Sequence, residues 1–312
     1  MIALARWLMK GPWQASGLIA LTGVVALLVP LVFPLAILSG GAITLVTLKL
    51  GPQRGFQVVA YALLASIALL LLIGNPGAAF GLGVVFWIPL LLASVLLGFT
   101  ARLSWALLSV VGFGLLVVAL QHLVLGDPTA YWEEWLSGVW ETWLAQSQSP
   151  TPEGMDVEEL IALQARAATG ALAVVLMALQ AGSLLLGRYW HGKLYGGIEL
   201  GMELRTLSLG RGPALFALGV LALGMFVTQD WLLHVLSVMI AAYLFQGLVI
   251  VHVLAGRYRV HAVWLVLLYF SLFVFPYVSV MIALGGLADT WVGIRQRLAG
   301  PGPRRPDDDS EA

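Results

Sequence analysis

The chain has 312 residues, 60% of them hydrophobic and only 10% charged, and its 16 Lys and Arg balance its 16 Asp and Glu. A soluble domain carries about 25% charged residues, so this composition excludes a water-soluble globule, and a zero net charge excludes a nucleic-acid partner because no cationic excess is left to neutralise phosphates. The absence of cysteine removes disulfides, thiolate metal sites and cysteine nucleophiles. In chain order, Arg6 and Lys10 precede an apolar run with no convincing cleavage site, which reads as a retained first membrane helix. Residues 13–50 are too long for one span and are interrupted by Pro30 and Pro34, so they are expected to form two short helices meeting at an outer turn. Single spans are expected at 56–73, 79–99, 104–125, 165–187, 213–228 and 231–254, each near the ~20 residues needed to cross ~30 Å of hydrocarbon. Residues 261–294, with Pro276 near their middle, read as a second proline-turned hairpin. The fold class is therefore an all-α polytopic transmembrane bundle of about 8–10 membrane segments, forming one integral membrane domain over 1–297.

Charge supports this threading. With the N-terminus in the cytoplasm, only Arg166 of the 16 cations falls outside. That asymmetry is the positive-inside pattern of a bacterial inner-membrane protein with both termini cytoplasmic. A single span at 261–294 would put Arg295, Arg297, Arg304 and Arg305 on the wrong side, which favours the hairpin. The tail 298–312 is proline-rich, then acidic, and is expected to be disordered.

Residues 126–164 form the large outer insertion, with eight acidic side chains. Trp132, Trp135, Leu136, Val139, Trp140, Trp143 and Leu144 recur at helical spacing, opposite Glu133, Glu134, Ser137 and Glu141. The indole-rich face suits a helix lying in the headgroup zone, or a lid over an outer cavity. Ser147–Gly154 reads as a linker, and Asp156 followed by Glu159 as a capping box that opens the next helix.

Residues that carry chemistry are few. Gly187 to Lys193 has the spacing of a phosphate loop, but Leu194 stands where a Ser or Thr is required and no strand precedes it. No metal motif, nucleophile elbow or carboxylate pair occurs, so the sequence calls for no enzyme activity, no cofactor and no metal. Asp230 and His234, four apart at the outer start of a helix, share a face. Arg166, near the outer end of 165–187, needs an anionic partner, and Asp230 is the candidate. With Gln180 in mid-span, these residues form a candidate outer mouth for a solute. Gln180 and Gln246 are otherwise interhelical hydrogen-bond formers, and Gly77-x-x-x-Gly81 and Ala167-x-x-x-Ala171 permit close helix packing. No charge is expected in the middle of a span, which weighs against a proton-coupled pump.

The inside segment 188–212 mixes charges with aromatics and reads as an interfacial elbow or a docking surface for a cytoplasmic or membrane partner subunit. Its Arg188, Tyr189, Trp190, Leu194, Tyr195, Gly196, Gly197, Glu203 and Arg205 resemble the cytoplasmic signature of the YybS-like bacterial membrane family. Gly286-Leu-Ala-Asp289-Thr-Trp291, followed by Arg295 and Arg297, is similar to that family's C-terminal end. The family brings no activity with it. It is distantly similar to the substrate-capturing subunits of energy-coupling-factor transporters, which implies capture of a vitamin or metal ion from outside with a separate ATPase. The chain lacks the Asn-Pro that often precedes Gly-Gly in the family and the Ala-x-x-x-Ala of the transporter subunits' first helix. Three functions are therefore expected in this order: transport-related solute binding without its own ATPase, a membrane scaffold or assembly factor, and a membrane enzyme.

Overall fold

The computed structural model describes residues 1–147, 156–197 and 199–293. The expected linker after Ser147, the tail 298–312 and the arginines at 295, 297, 304 and 305 lie outside them. Among the described residues every regular element is helical. Six helices among the described residues are long and apolar enough to cross a membrane: Leu31–Leu50, Pro52–Leu71, Gly77–Thr100, Leu103–Leu125, Val157–Tyr195 and Asp230–Arg257. The protein is a polytopic helical membrane protein. A backbone that enters hydrocarbon must satisfy its own N–H and C=O groups, which a helix does within one segment.

The elements follow local chemistry. A short α1 (Ile2–Leu8) leads into α2 (Pro12–Leu28). Pro30 and Pro34 replace the following helix by a 3-10 turn at Pro30–Leu35, from which α3 (Ala36–Leu50) returns against α2. Gly51 sits at φ +88°, a conformation that costs a Cβ-bearing residue, and lets α4 (Pro52–Leu71) start at once with proline in its first turn. A short α5 (Gly77–Gly81) runs through a π-helical turn at Leu82–Trp87 into α6 (Ile88–Thr100), and α7 (Leu103–Leu125) follows.

The chain divides into two compact units, Met1–Leu200 with Ala217–Met239, and Gly201–Phe216 with residues from Ile240 onward. In the first, α9 (Val157–Tyr195) is the central rod and packs most extensively on α3. Small residues set that approach. A Cβ on Gly187 would lie 2.8 Å from the Gly41 carbonyl oxygen, so the two backbones nearly touch. Thr44 and Ser94 hydroxyls share a buried hydrogen bond of 2.9 Å, and Trp87 Nε1 donates to Ser39 Oγ at 2.9 Å. The small-residue pairs that spacing singles out are not the ones used. Nothing lies within 4 Å of a Cβ built on Gly77 or Gly81, and Ala167 and Ala171 are exposed. Small residues recur in apolar helices for several reasons, and spacing alone does not say which face meets a neighbour.

The insertion after α7 forms α8 (Pro128–Ser147), which packs on α9. Trp132 bonds to Thr169 and Trp140 to Gln164, so the two helices run antiparallel. The indole face is thereby divided: Trp132 and Trp140 turn to α9, and Trp135 and Trp143 stay exposed. Asp156 caps α9 as its spacing with Glu159 predicts, accepting from the Glu159 amide at 3.1 Å.

Two boundaries differ from expectation. The elbow begins later than residue 188, because α9 continues to Tyr195 and turns only at Gly196 and Gly197, at φ +79° and +119°. The phosphate-loop look-alike is therefore unbroken helix. The segment expected as a full span at 213–228 forms α11 (Arg211–Gly224), only 14 residues, or about 21 Å of helix.

The second unit holds α10 (Leu200–Arg205) from Gly201 on, the start of α11, the later part of α12 (Asp230–Arg257), α13 (Ala262–Val274) and α14 (Pro276–Val292). The pair α13 and α14 bends by 112° at the break before Pro276. Gln246 is fully buried and organises this unit. Its Nε2 donates to the Gly286 carbonyl at 2.7 Å and to Thr290 Oγ1 at 3.3 Å, and its Oε1 accepts from the Leu209 amide at 3.0 Å. Asp289, near the end of α14, is also buried.

Candidate functional site

Four helix ends of the first unit carry a polar cluster. The C-terminal turn of α7 supplies Gln121 and His122, the start of α8 supplies Thr129 and Trp132, α9 supplies Arg166 and Thr169, and the start of α12 supplies Asp230 and His234. Arg166 Nη2 donates to Asp230 Oδ1 at 3.0 Å, and Thr129 Oγ1 donates to Asp230 Oδ2 at 3.3 Å. Asp230 opens α12, where the helix dipole also favours a carboxylate. The Arg166 and Asp230 side chains are 57% and 33% exposed, so water screens the pair and it is worth at most about 1 kcal/mol. Its value lies in orientation: it ties α9 to α12 and holds the guanidinium in place.

Beside it lies a histidine pair. His234 is 2% exposed, and its Nε2 sits 2.8 Å from the Arg166 carbonyl oxygen. A carbonyl only accepts, so Nε2 carries a proton, and in the tautomer with that single proton Nδ1 is an acceptor. That Nδ1 faces His122 Nε2 at 3.0 Å, which makes His122 the donor. The chain of donors runs from His122 through His234 to the α9 backbone. Gly170 makes room for it, because a Cβ there would come within 3.3 Å of His234 Cα.

A second triad closes the cluster. Trp132 Nε1 donates to Thr169 Oγ1 at 3.0 Å and to Gln121 Oε1 at 3.2 Å, and Thr169 Oγ1 donates to Gln121 Oε1 at 3.3 Å. Gln121 Oε1 is thus saturated, whereas its Nε2 is buried without a hydrogen-bond partner among the described residues.

His122→Leu strips the donor from a buried acceptor and is expected to cost about 1–3 kcal/mol. His122→Gln, whose amide can place a donor near the same point, is expected to recover most of it. Thermal unfolding in detergent reads both, and equal losses would refute the donor assignment.

Of the residues singled out from sequence, Arg166, Asp230 and His234 come together here. Gln180 does not. It lies 14 residues further along α9, about 21 Å away, and is fully buried. Neither its Nε2 nor its Oε1 has a hydrogen-bond partner among the described residues. The elbow residues separate into two groups. Arg188, Tyr189, Trp190 and Tyr195 are the last turns of α9, and Glu203 and Arg205 lie on α10. Trp190 is 0% exposed and belongs to the core, which removes it from any docking patch. Tyr189 and Tyr195 are exposed, and Lys49 Nζ rests 4.1 Å over the Tyr195 ring. Sequence reasoning missed His122, Thr129, Thr169 and Gln121. Among the described residues no group of three or more His, Asp or Glu converges as metal ligands.

No family model, no curated protein and no solved structure matches the chain.

Proposed function

We propose that the protein binds a small polar solute at the outer face of a bacterial inner membrane, as a transport-related subunit that relies on a partner for energy. The observation that carries this reading is Gln180, whose whole amide is buried without a hydrogen bond among the described residues. A buried amide left unpaired costs about 1–3 kcal/mol, and such a group calls for a polar guest. The unpaired Nε2 of Gln121 in the Arg166–Asp230 cluster is a second donor of the same kind. Gln121 Nε2 suits an acceptor oxygen at the Arg166–Asp230 cluster, and Gln180, further along α9, suits a group that both donates and accepts. The charge distribution supports the orientation. Lys49 meets the C-terminal turn of α9, whereas the carboxylates of α8 and Asp230 gather about its N-terminal half, roughly 40 Å of helix away. The resemblance of 188–205 and 286–297 to the YybS-like family, and through it to transporter capture subunits, agrees with this assignment.

Gln180→Leu tests it. Removing an unpaired amide is expected to raise the stability of solute-free protein by about 1–3 kcal/mol. The same change is expected to abolish any small molecule retained through purification from native membranes and detected by native mass spectrometry. A destabilised variant, or wild-type protein that retains nothing, would refute the reading. A cytoplasm-active reporter at Arg102 and a periplasm-active one at Trp140 check the sidedness.

A scaffold role is the second reading, and one observation favours it. Tyr131, Trp135, Val139 and Trp143 form an exposed stripe along α8 at a spacing of four residues, suited to a partner helix or to headgroups.

A further inference from the structure

The first acidic residue of the chain is Asp127, so Arg6, Lys10, Lys49, Arg54 and Arg102 precede every carboxylate. One of these cations, Arg54, lines an opening, and two others, Lys10 and Lys49, are next in sequence to residues that line it. A cavity of about 260 Å³ lies between α1, α2, α3 and α4, with an apolar wall that includes Leu8, Ala15, Val46 and Val58. Arg54 lines it directly, Lys10 falls between the lining residues Met9 and Gly11, and Lys49 precedes the lining residue Leu50. Among the described residues none of the three is paired with a carboxylate. Arg54 reaches only a neutral partner, donating to Gln57 Oε1 at 2.7 Å.

The backbone adds to this charge. Gly11 and Pro12, which start α2, line the opening, and Arg54 stands in the first turn of α4. Neither helix has a side-chain cap or an acidic residue in its first turn. Two bare N-termini therefore present amide N–H groups and the positive ends of their dipoles at the same rim as the cations. Beside the rim, Trp13 is 74% exposed and stacks on Tyr61 with ring centroids 5.2 Å apart. An exposed indole at the end of a membrane helix marks the headgroup level.

We propose that this opening is a binding site for an anionic phospholipid. The end of an acyl chain fills the apolar cavity, and the phosphate sits at the rim on Arg54, Lys10 and the first turns of α2 and α4. An apolar slot under a cationic rim fits a molecule that is greasy at one end and anionic at the other. Free phosphate would use only the rim, and a zwitterionic lipid would bring a cation to a rim that is already cationic. The proposal is independent of the solute reading, which rests on Gln121 and Gln180 and on none of the residues that line this cavity.

The test uses the full chain, delipidated in neutral detergent and titrated by native mass spectrometry. The probes are phosphatidylglycerol, phosphatidylcholine, glycerol phosphate and inorganic phosphate. Phosphatidylglycerol is expected to bind as a discrete single adduct, more tightly than phosphatidylcholine. Arg54→Gln and Lys10→Gln should each weaken it about fivefold, and the double variant about twenty-fivefold. Both side chains are exposed, so the variants keep the fold, and an unchanged thermal midpoint without lipid confirms that. Equal affinity for the two lipids, indifference to both substitutions, or full competition by glycerol phosphate or inorganic phosphate would overturn the proposal.

Discussion

Gly286→Ala is expected to open the contact between α12 and α14 and to lower stability by about 3 kcal/mol, at the upper end of what overpacking costs. A Cβ on Gly286 would overlap the Tyr243 carbonyl oxygen and lie 2.6 Å from the Gly247 amide nitrogen. A Cβ on Gly247 would overlap the Ile282 carbonyl oxygen in turn. These obstacles are backbone atoms, so no rotamer change relieves them and the helices must separate. Separation also breaks the bond from Gln246 Nε2 to the Gly286 carbonyl, and in hydrocarbon no water replaces it. Gly247→Ala should behave alike. The double variant should lose less than the two single losses added, because the first methyl already creates the space the second needs. Gly285→Ala is the control. A Cβ there meets nothing within 4 Å and Ala is the better helix former, so the change should be neutral or slightly stabilising. Thermal unfolding in detergent compares the four, and a Gly286→Ala midpoint equal to that of Gly285→Ala would refute the contact.

This contact also marks the limit of what the sequence discloses. Hydropathy and proline placement locate the helices because both act within one segment: Pro30 with Pro34, and Pro276, end helices wherever they occur. Asp156 and Glu159 are legible as a cap for the same local reason. The pairing of Arg166 with Asp230, 64 positions apart, is legible because Arg166 is the one cation of that face and Asp230 opens a helix at the same level. The pairing of His122 with His234, 112 positions apart, does not. Each histidine is stable alone at a wet helix end, so nothing in either neighbourhood demands the other. Helices that are apolar all round carry no stripe to say which face turns inward. That is why Gly247 and Gly286 do not stand out in the sequence whereas the idle Gly77 and Gly81 do, and why Trp190 reads as an interfacial anchor although it is buried. An aromatic beside a charge at a helix end fits either environment until the neighbouring helix is known.

Trp87→Ala is expected to be the most damaging truncation in the first unit, costing about 3–5 kcal/mol. Trp87 is 0% exposed, and its indole does two things at once. It fills the space that Gly23 leaves on α2, where a Cβ would lie 2.7 Å from Trp87 Cζ2. Its Nε1 also donates to Ser39 Oγ, which donates onward to the Ile19 carbonyl at 3.0 Å. One side chain thus joins α2, α3 and the π-helical turn. Trp87→Phe separates the contributions, since it keeps most of the volume and loses the donor, and it should cost about 1–2 kcal/mol. The sharper test is the pair with Gly23. Gly23→Ala alone should destabilise, because the indole is held by its hydrogen bond and cannot retreat. In the Trp87→Ala background the same methyl enters the space the indole leaves, with only the flexible end of Leu82 beside it at 3.0 Å, and should stabilise. A change of sign between the two backgrounds, read as a double-mutant cycle on thermal unfolding, would establish that Gly23 of α2 and Trp87 of the π-helical turn pack directly on each other. Simple additivity would show that they do not.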